Sequence, residues 1–198
     1  MAFADTRLVL AKRFESVVMQ RHSATGVVLA AGAGSRYGKP KVLAENGQWL
    51  RAAVTAVVDG GCEDVVVVLG AAVVDVPPPA RAVVAQDWAR GLSASVRAGI
   101  RSAEGAAFVV LTPVDTPDIT ADVVRRLLAA ARTSTSGLAR ATFDGRPGHP
   151  VVIARRHWPS LLAVLTGDDG AGPFLRARDD VMAVECADLA TGRDIDRM

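Results

Sequence analysis

The segment Asp64–Leu69 constrains the fold of this chain more strongly than any other part of its sequence. It reads Asp-Val-Val-Val-Val-Leu, so apolar and mostly β-branched side chains would point to both faces of a strand. A strand buried on both faces is typical of a parallel sheet that helices cover on either side. A second apolar run lies at Ala107–Leu111. Together these runs predict an α/β fold with a mostly parallel sheet.

Strand-like and helical segments alternate along the chain, as they do in proteins built from βαβ units. The predicted strands are Gly26–Ala30, Asp64–Leu69, Ala82–Ala85, Ala107–Leu111, Leu138–Phe143, Val151–Ala154 and Val181–Glu185. Three predicted helices are Gln48–Asp59, Leu92–Ser102 and Pro159–Leu165. A fourth is capped by a residue of Asp118–Thr120 and runs through Ala131. A glycine-rich turn at Gly145–Gly148 predicts an antiparallel hairpin between the fifth and sixth strands. We therefore expect a three-layer, Rossmann-like α/β architecture containing one antiparallel hairpin.

Composition limits the class of protein and its partners. Half of the 198 residues are hydrophobic, which suits one domain with a sizeable core. We expect residues 24–198 to form that domain and residues 1–23 to be an N-terminal extension. The formal net charge is only +2, and the cationic residues are spread along the chain. Nucleic-acid binding usually needs a clustered basic face, so this pattern argues against a nucleic-acid partner. Cys62 and Cys186 are isolated thiols, which predicts core residues rather than a zinc site or a disulfide.

The sequence also lacks the features of a membrane or secreted protein. Its longest apolar run, Val65–Val74, has about half of the ~20 residues that a transmembrane helix needs. Residues 1–23 carry scattered charges and no uninterrupted apolar stretch, unlike a secretory signal. We therefore expect a cytoplasmic protein with no membrane partner.

The loop after the first strand carries the strongest functional signal. It is rich in small residues and in cations, namely Gly32, Gly34, Gly38, Arg36, Lys39 and Lys41. Small residues let the backbone approach a ligand closely, and successive peptide N–H groups can then converge on phosphate oxygens. The cations would supply charge beside a triphosphate. This loop therefore predicts a nucleotide-binding site.

The spacing of the glycines excludes two common types of nucleotide loop. The pattern is G-x-G-x-x-x-G, one residue longer than the dinucleotide fingerprint. A P-loop needs four residues between its glycines and a Ser or Thr after the lysine. Here five residues separate Gly32 from Gly38, and Pro40 occupies the position of the hydroxyl. The loop therefore indicates a third way of binding a nucleotide, and a nicotinamide-dependent dehydrogenase is disfavoured.

A single carboxylate follows the fourth predicted strand. Asp115 lies between two prolines in the segment Leu-Thr-Pro-Val-Asp-Thr-Pro, at the carboxyl end of Ala107–Leu111. Ligands of open α/β sheets bind at this edge, where the glycine loop also lies. Mg²⁺ takes one or two carboxylates together with phosphate oxygens. Asp115 is therefore a candidate metal ligand, although a D-x-P sequence also starts turns.

Three further segments contain weaker signals. Ser93 and Ser95 begin a predicted helix, where they would either contact a nucleotide or cap the helix. His149 lies in a Gly/Pro turn, a more informative context than those of the other two histidines. Asp168, in a glycine-rich loop, would either line a substrate site or lie in a solvated turn. We expect Arg97 to lie on a solvated helix face.

Taken in order, the motifs L-A-A-G-x-G-x-R, P-K, W-x-x-G-x-x-x-S, D-x-P, G-x-P-G-H-P and G-D-x-G-A resemble those of the MobA-like nucleotidyltransferases. The resemblance is strongest to the branch of the molybdenum cofactor cytidylyltransferases. It covers Thr25 to Asp196, nearly all of the chain outside the N-terminal extension. It implies a nucleotidyltransferase version of the predicted fold, and an enzyme that uses Mg²⁺ and CTP.

The resemblance also implies roles for individual residues. The nucleotide would be bound by Leu29, Ala30, Ala31, Gly32, Gly34, Arg36, Lys41 and Ser95. The catalytic residues would be Arg36, Lys41 and Asp115, with Asp115 as the metal ligand. The second substrate would lie against Gly148, His149 and Asp168. In this family Leu-Ala-Ala-Gly goes with cytidine and Leu-Ala-Gly-Gly with guanosine, so Ala31 favours CTP.

The implied reaction is transfer of CMP from CTP to the phosphate of molybdopterin, with release of pyrophosphate. A molybdoenzyme of the xanthine dehydrogenase type is a candidate partner. A sugar-phosphate, another small-phosphate or a GTP-using nucleotidyltransferase remains open, as does a non-catalytic maturation factor. Relatives usually continue as D-I-D-T-P-E-D near the C-terminus, whereas this chain ends Asp-Ile-Asp-Arg-Met. Whether Asp194 or Asp196 supplies a second metal ligand therefore remains open.

Overall fold

Apolar strands form the centre of the computed structural model, which describes residues 23–196 of the chain. The strands are β1 (Ala24–Leu29), β2 (Asp64–Leu69), β3 (Arg81–Val84), β4 (Phe108–Pro113), β5 (Leu138–Phe143), β6 (Arg146–Ala154) and β7 (Met182–Glu185). They form one sheet in the order β3-β2-β1-β4-β6-β5-β7. This confirms the predicted α/β class. Residues 1–22 of the predicted N-terminal extension lie outside the described range.

The sheet contains the predicted antiparallel hairpin. β1 pairs in parallel with β2 and β4, and β5 pairs in parallel with β7, whereas β6 runs antiparallel to both of its neighbours. The hairpin turn is tighter than predicted, because β6 already begins at Arg146. Asp144 and Gly145 form it, with φ values of 51° and 74°. Two consecutive positive φ values match the twist of the flanking strands, which favours a two-residue turn.

Helices cover both faces of the sheet. They are α1 (Gln48–Asp59), α2 (Leu92–Ser102), α3 (Ala121–Thr133), α4 (Trp158–Val164) and α5 (Gly172–Arg176), with 3-10 turns at Lys41–Gly47, Trp88–Arg90 and Arg155–His157. Side chains of a strand alternate between faces. Val28 of β1 accordingly packs in the core beneath α1 and α3, while Val27 packs in the core beneath α2 and α4. The result is the predicted three-layer arrangement.

Close packing of α2 fixes its position over β1. A Cβ on Gly99 would lie 2.4 Å from Cγ1 of Val27, so a larger residue at this position would push the helix away from the sheet. The same helix begins beside the carboxyl end of β1. The glycine therefore helps to determine how the start of α2 faces the loop that follows β1.

Several side chains outside the predicted site have structural roles. Cys62 and Cys186 are buried in the core, as expected, and burial raises the pKa of Cys62 to about 12. The expectation of a solvated Arg97 is wrong. Its guanidinium donates to the backbone carbonyls of Leu162, at 2.7 Å, and Leu165, because the end of α4 packs against α2. Among residues 23–196, no helix combines the length and the apolar character needed to cross a bilayer.

Candidate nucleotide-binding site

A cleft of about 660 Å³ opens at the carboxyl ends of β1 and β4. It brings together residues that are widely separated in the sequence. Eleven of the predicted site residues line it, namely Leu29, Ala30, Ala31, Gly32, Gly34, Arg36, Lys41, Ser95, Asp115, His149 and Asp168. Its lining also includes Asp194 and Asp196, whose role the sequence left open, and residues that no sequence pattern indicated, among them Tyr37, Trp88 and Pro113.

The loop after β1 curls around its second glycine. The carbonyl of Gly34 accepts hydrogen bonds from the N–H groups of Tyr37 and Gly38, at 2.9 and 2.8 Å. Gly34 has a φ of +64°, and a Cβ here would lie 1.9 Å from the carbonyl oxygen of Lys39. Within the described residues, the peptide N–H groups of residues 31–36 donate no hydrogen bond to the protein. They are therefore available to bind an anionic ligand.

Lys41 and Asp115 are placed by neighbours that are buried. Lys41 begins the 3-10 turn Lys41–Gly47, which Val42 anchors in the core with only 1% of its surface exposed. Asp115 follows the buried Val114, whose N–H donates to the carbonyl of Leu29 at 3.1 Å. This hydrogen bond joins the loop after β4 to the end of β1. The lysine and the aspartate are consequently brought together at the lining of the cleft.

Lys41 lies between two carboxylates. Its Nζ atom is 2.7 Å from Oδ2 of Asp115 and 2.9 Å from Oδ1 of Asp196. Arg36 approaches the same cluster, with Nη1 at 3.5 Å from Oδ2 of Asp196. Burial by itself would lower the pKa of Lys41, but hydrogen bonds and charge from both aspartates outweigh it and raise that pKa. Lys41 therefore remains a fixed cation over the physiological range of pH.

The C-terminal segment delivers Asp194 and Asp196 to the cleft. Its Ile195 N–H donates to the backbone carbonyl of Asp115 at 3.0 Å. At the start of this segment, Oδ2 of Asp118 accepts hydrogen bonds from Thr191 N and Thr191 Oγ1, both at 2.6 Å, and from the N–H of Gly192. Desolvation and the negative charges of the neighbouring aspartates raise the pKa of Asp194. The cleft is thus rich in acidic oxygen atoms.

The start of α2 closes another side of the cleft. Gly91 has a φ of +109°, and a Cβ here would lie 2.4 Å from the carbonyl oxygen of Gly167. That carbonyl accepts the N–H of Ser93 at 3.0 Å, which docks the loop containing Asp168 onto the helix. Ser95 is 4% exposed and lines the cleft. The structure therefore brings two of the weaker sequence motifs to the same site.

A second chamber adjoins the cleft. Its volume is about 270 Å³, and it shares Leu29, Pro113, His149 and Asp168 with the first. Burial, together with the charge of Arg140, lowers the pKa of His149, so its imidazole is neutral at neutral pH. A space of this kind beside the cleft would suit a second ligand.

Gly148 does not line either space, unlike the other predicted residues. A Cβ on it would lie 2.9 Å from the ring of Phe143, and its carbonyl accepts a hydrogen bond from Nε of Arg140 at 3.3 Å. Gly148 instead lets β6 pass close to an aromatic side chain. The structure therefore gives Gly148 a packing role and does not place it with the other predicted residues.

The donor set of the cleft fits a hard divalent cation that also binds phosphate. Over residues 23–196, no three His, Cys, Asp or Glu side chains form a metal cluster of their own. Asp115 and Asp196 are nonetheless close enough for one ammonium group to contact both. Mg²⁺ commonly uses one or two carboxylates and completes its shell with water and phosphate oxygens. Two carboxylates beside a loop whose N–H groups are available to an anion would meet that requirement.

The sequence of this chain matches a known protein family. Residues 26–181 match the family described as the MobA-like NTP transferase domain. The chain belongs to this family of nucleotidyltransferases. It is also 38% identical over 187 residues to nicotine blue oxidoreductase from Paenarthrobacter nicotinovorans, covering 87% of this chain and 91% of that protein.

Solved structures show the same fold. Rv0371c from Mycobacterium tuberculosis H37Rv is 23% identical, with a TM-score of 0.71. The superposition covers 89% of this chain and 94% of that one. A complex of Rv0371c with manganese, 24% identical, has a TM-score of 0.64 over 83% and 88%. A nucleotidyl transferase from Methanothermobacter thermautotroptrophicus, 22% identical, has a TM-score of 0.71 over 88% and 92%.

Proposed function

We propose that the protein transfers CMP from CTP to the phosphate of molybdopterin or its molybdenum complex, and releases pyrophosphate. The placement of Lys41 between Asp115 and Asp196, beside a loop with unpaired N–H groups, is the main support. This cluster puts cations and metal-binding oxygens where a triphosphate would lie. Membership of the MobA-like family supports the same reaction class.

The chemistry requires alignment and charge neutralisation rather than a protein base. A phosphate oxygen of the acceptor is already an anion, so it can attack the α-phosphorus without losing a proton. The new phosphorus–oxygen bond forms as the bond to the β-phosphate oxygen breaks, and that electron pair leaves with pyrophosphate. Arg36, Lys41 and the loop amides would offset the charge that builds on the leaving group.

Asp115 and Asp196 would hold the divalent cation. When bound, Mg²⁺ would neutralise part of the charge of the phosphates. The Lys41 ammonium now contacts the same two carboxylates, which indicates that this position favours positive charge. With nucleotide present, Lys41 would contact phosphate oxygens as well.

The preference for cytidine rests on the Leu-Ala-Ala-Gly sequence of the loop. Ala31 in this sequence is 3% exposed, and its carbonyl accepts the N–H of Ala71 at 2.9 Å. This hydrogen bond holds the Ala31 carbonyl in place, and backbone groups of the loop would recognise the edge of the base. Ser95, at the opposite wall, would contribute a hydroxyl to the nucleotide.

A substrate panel tests the proposal. Purified protein would be given CTP, GTP or ATP with Mg²⁺ or Mn²⁺, and molybdopterin or a sugar phosphate as the acceptor, while pyrophosphate is measured. We expect release that requires CTP, metal and molybdopterin together. Release with a sugar phosphate instead would favour the alternative transferase. Binding of CTP without release in any mixture would favour a non-catalytic maturation factor that acts with a molybdoenzyme.

Oxidoreduction is a second candidate, because a relative at 38% identity is named nicotine blue oxidoreductase. Electron transfer to a substrate would need a redox cofactor or co-substrate such as a reduced nicotinamide. The cluster around Lys41 has no evident use in that chemistry, and the glycine spacing is unlike the dinucleotide fingerprint. Oxidation of NADH or NADPH by nicotine blue, catalysed by this protein without a nucleoside triphosphate, would favour this candidate.

A further inference from the structure

We propose that the second chamber binds the acceptor, and that Arg176 binds the anionic group of an organic phosphate with an apolar or aromatic body. This inference rests on the proposed function in one respect, which is that the bound molecule acts as the acceptor of the transfer reaction. The existence of the anion site itself can be tested without any nucleotide.

The chamber lies where an acceptor must lie. It shares Leu29, Pro113 and His149 with the nucleotide cleft, so a molecule in it borders directly on the residues that line the phosphate-binding region. Its remaining wall includes Val96 and Leu111, which are buried side chains of the core beneath α2. Apolar groups of a ligand would therefore be sheltered from water there.

Arg176 supplies positive charge at this chamber. It lies at the end of α5, lines the chamber and forms no hydrogen bond or ion pair with any described residue. Arg140 does not line the chamber, and its Nε atom donates to the carbonyl of Gly148. A guanidinium group that lines a chamber without an acidic partner favours binding of an anion.

His149 provides an independent indication of a ligand. Its Nδ1 atom is buried and has no hydrogen-bond partner among residues 23–196. A buried polar atom without a partner costs free energy, and such atoms are rare in native proteins. The side chain lies at the boundary of the two spaces. A bound acceptor could complete its hydrogen bonding through a small movement of the ring.

The chamber also contains acidic groups, which restrict how the ligand is oriented. Asp168 and Asp169 belong to its lining and are exposed at the loop between α4 and α5. An anion would therefore bind toward Arg176, away from these carboxylates. A sugar hydroxyl that packed against Val96 and Leu111 would lose its hydration without gaining a partner, so we expect this part of the wall to favour an aromatic body.

Phenyl phosphate and glycerol 3-phosphate are suitable probes, because they carry the same charged group on an aromatic and on a polar body. Isothermal titration of the full chain without nucleotide would compare the wild type with Arg176→Gln and Arg176→Lys. We expect phenyl phosphate to bind more tightly than glycerol 3-phosphate. Arg176→Gln should weaken its binding at least tenfold, and Arg176→Lys less, since lysine retains the charge but not the bidentate geometry.

Arg101→Gln is the matched control, since it removes one exposed arginine at the far end of α2. Its affinity for phenyl phosphate should match that of the wild type. Absence of phenyl phosphate binding would overturn the proposal. The proposal would also be overturned if Lys41→Ala abolished the binding and Arg176→Gln left it intact. Binding that depends on Arg176, in a protein that fails to transfer CMP, would support the anion site and contradict the proposed function.

Discussion

At the scale of single residues, the group around Lys41 is better explained by ligand binding than by stability. The side chains of Lys41 and Asp115 are only 15% and 20% exposed, so both lose much of their hydration. An ion pair with this degree of burial recovers in attraction roughly what it costs in desolvation. Its value would come from holding charges in position before the phosphates and the metal arrive.

Removing either charge should therefore affect catalysis far more than folding. We expect Lys41→Ala and Asp115→Ala each to reduce CMP transfer at least about a hundredfold, since loss of one such contact commonly costs on the order of 3 kcal/mol. Steady-state rates of pyrophosphate release would measure the loss, and circular dichroism would check the fold. Lys39→Ala is the matched control, because Lys39 lies in the same loop but does not line the cleft. Near-normal rates in both variants would contradict the assignment.

At the scale of elements, the segment from Thr191 to Asp196 acts as a strap along the loop after β4. One carboxylate oxygen of Asp118 holds the start of the strap, and the carbonyl of Asp115 holds its end. These contacts place Asp194 and Asp196 in the cleft. Loss of the strap would leave the glycine loop and Asp115 intact but remove two of the four aspartates that line the cleft.

Asp118→Ala tests this role of the strap. We expect the concentration of Mg²⁺ that gives half-maximal activity to rise between about tenfold and a hundredfold, as is typical when a group that positions a metal ligand is removed. The rate would be measured over a series of Mg²⁺ concentrations. Asp122→Ala removes a nearby exposed aspartate, whose partner is Arg125, and should leave the Mg²⁺ dependence unchanged. An unchanged requirement in Asp118→Ala would show that the strap does not position a ligand.

Glu185 joins the end of β7 to the hairpin of β5 and β6. Its carboxylate accepts hydrogen bonds from the N–H groups of Ala187, Gly145 and Asp144 and from the hydroxyl of Thr142. These bonds favour the ionised form and lower its pKa from 4.5 to about 2. A carboxylate whose pKa falls on folding stabilises the native state above its unfolded pKa, and loses that effect as pH falls through the folded value.

We therefore expect Glu185→Gln to be less stable than the wild type at neutral pH. The difference in the free energy of unfolding should shrink as pH decreases from about 4.5 to about 2. Urea unfolding at a series of pH values would measure it. A difference that stays constant over this window would mean that ionisation of Glu185 does not contribute to stability.

At the scale of the whole molecule, the cleft joins segments from nearly the full described length of the chain. The loop after β1, the loop after β4, the start of α2 and the C-terminal strap all contribute to it. A ligand that contacts all of them would bind the folded chain and not the unfolded one. Binding should therefore stabilise the whole domain against unfolding.

Thermal unfolding with CTP and Mg²⁺ tests that coupling. At a hundredfold excess over the dissociation constant, a ligand stabilises the folded state by about 2.7 kcal/mol. For a chain of this size we expect Tm to rise by roughly 5–10 °C. Lys41→Ala should lose most of the increase, whereas Lys39→Ala should retain it. An equal increase in both variants would place the nucleotide elsewhere.

Local sequence patterns were sufficient to predict most elements and much of the candidate site. The predicted bounds of Gln48–Asp59, Asp64–Leu69 and Leu92–Ser102 agree with the structure residue for residue. The reason is that hydrophobic periodicity and glycine positions act over a few neighbours. The residues of the glycine loop and Asp115 could be chosen for the same reason, because each follows a recognisable strand.

The amino-acid sequence by itself determined the layered α/β fold, its hairpin and the positions of the loop glycines, Lys41 and Asp115, since these depend on local chemistry. Only the tertiary structure decided that Asp196, 155 residues after Lys41, contacts the same ammonium group. It also decided that Arg97 caps α4 and that Arg176 lines the chamber beside the cleft. Such contacts depend on strand order and on the docking of distant loops, which no short pattern contains.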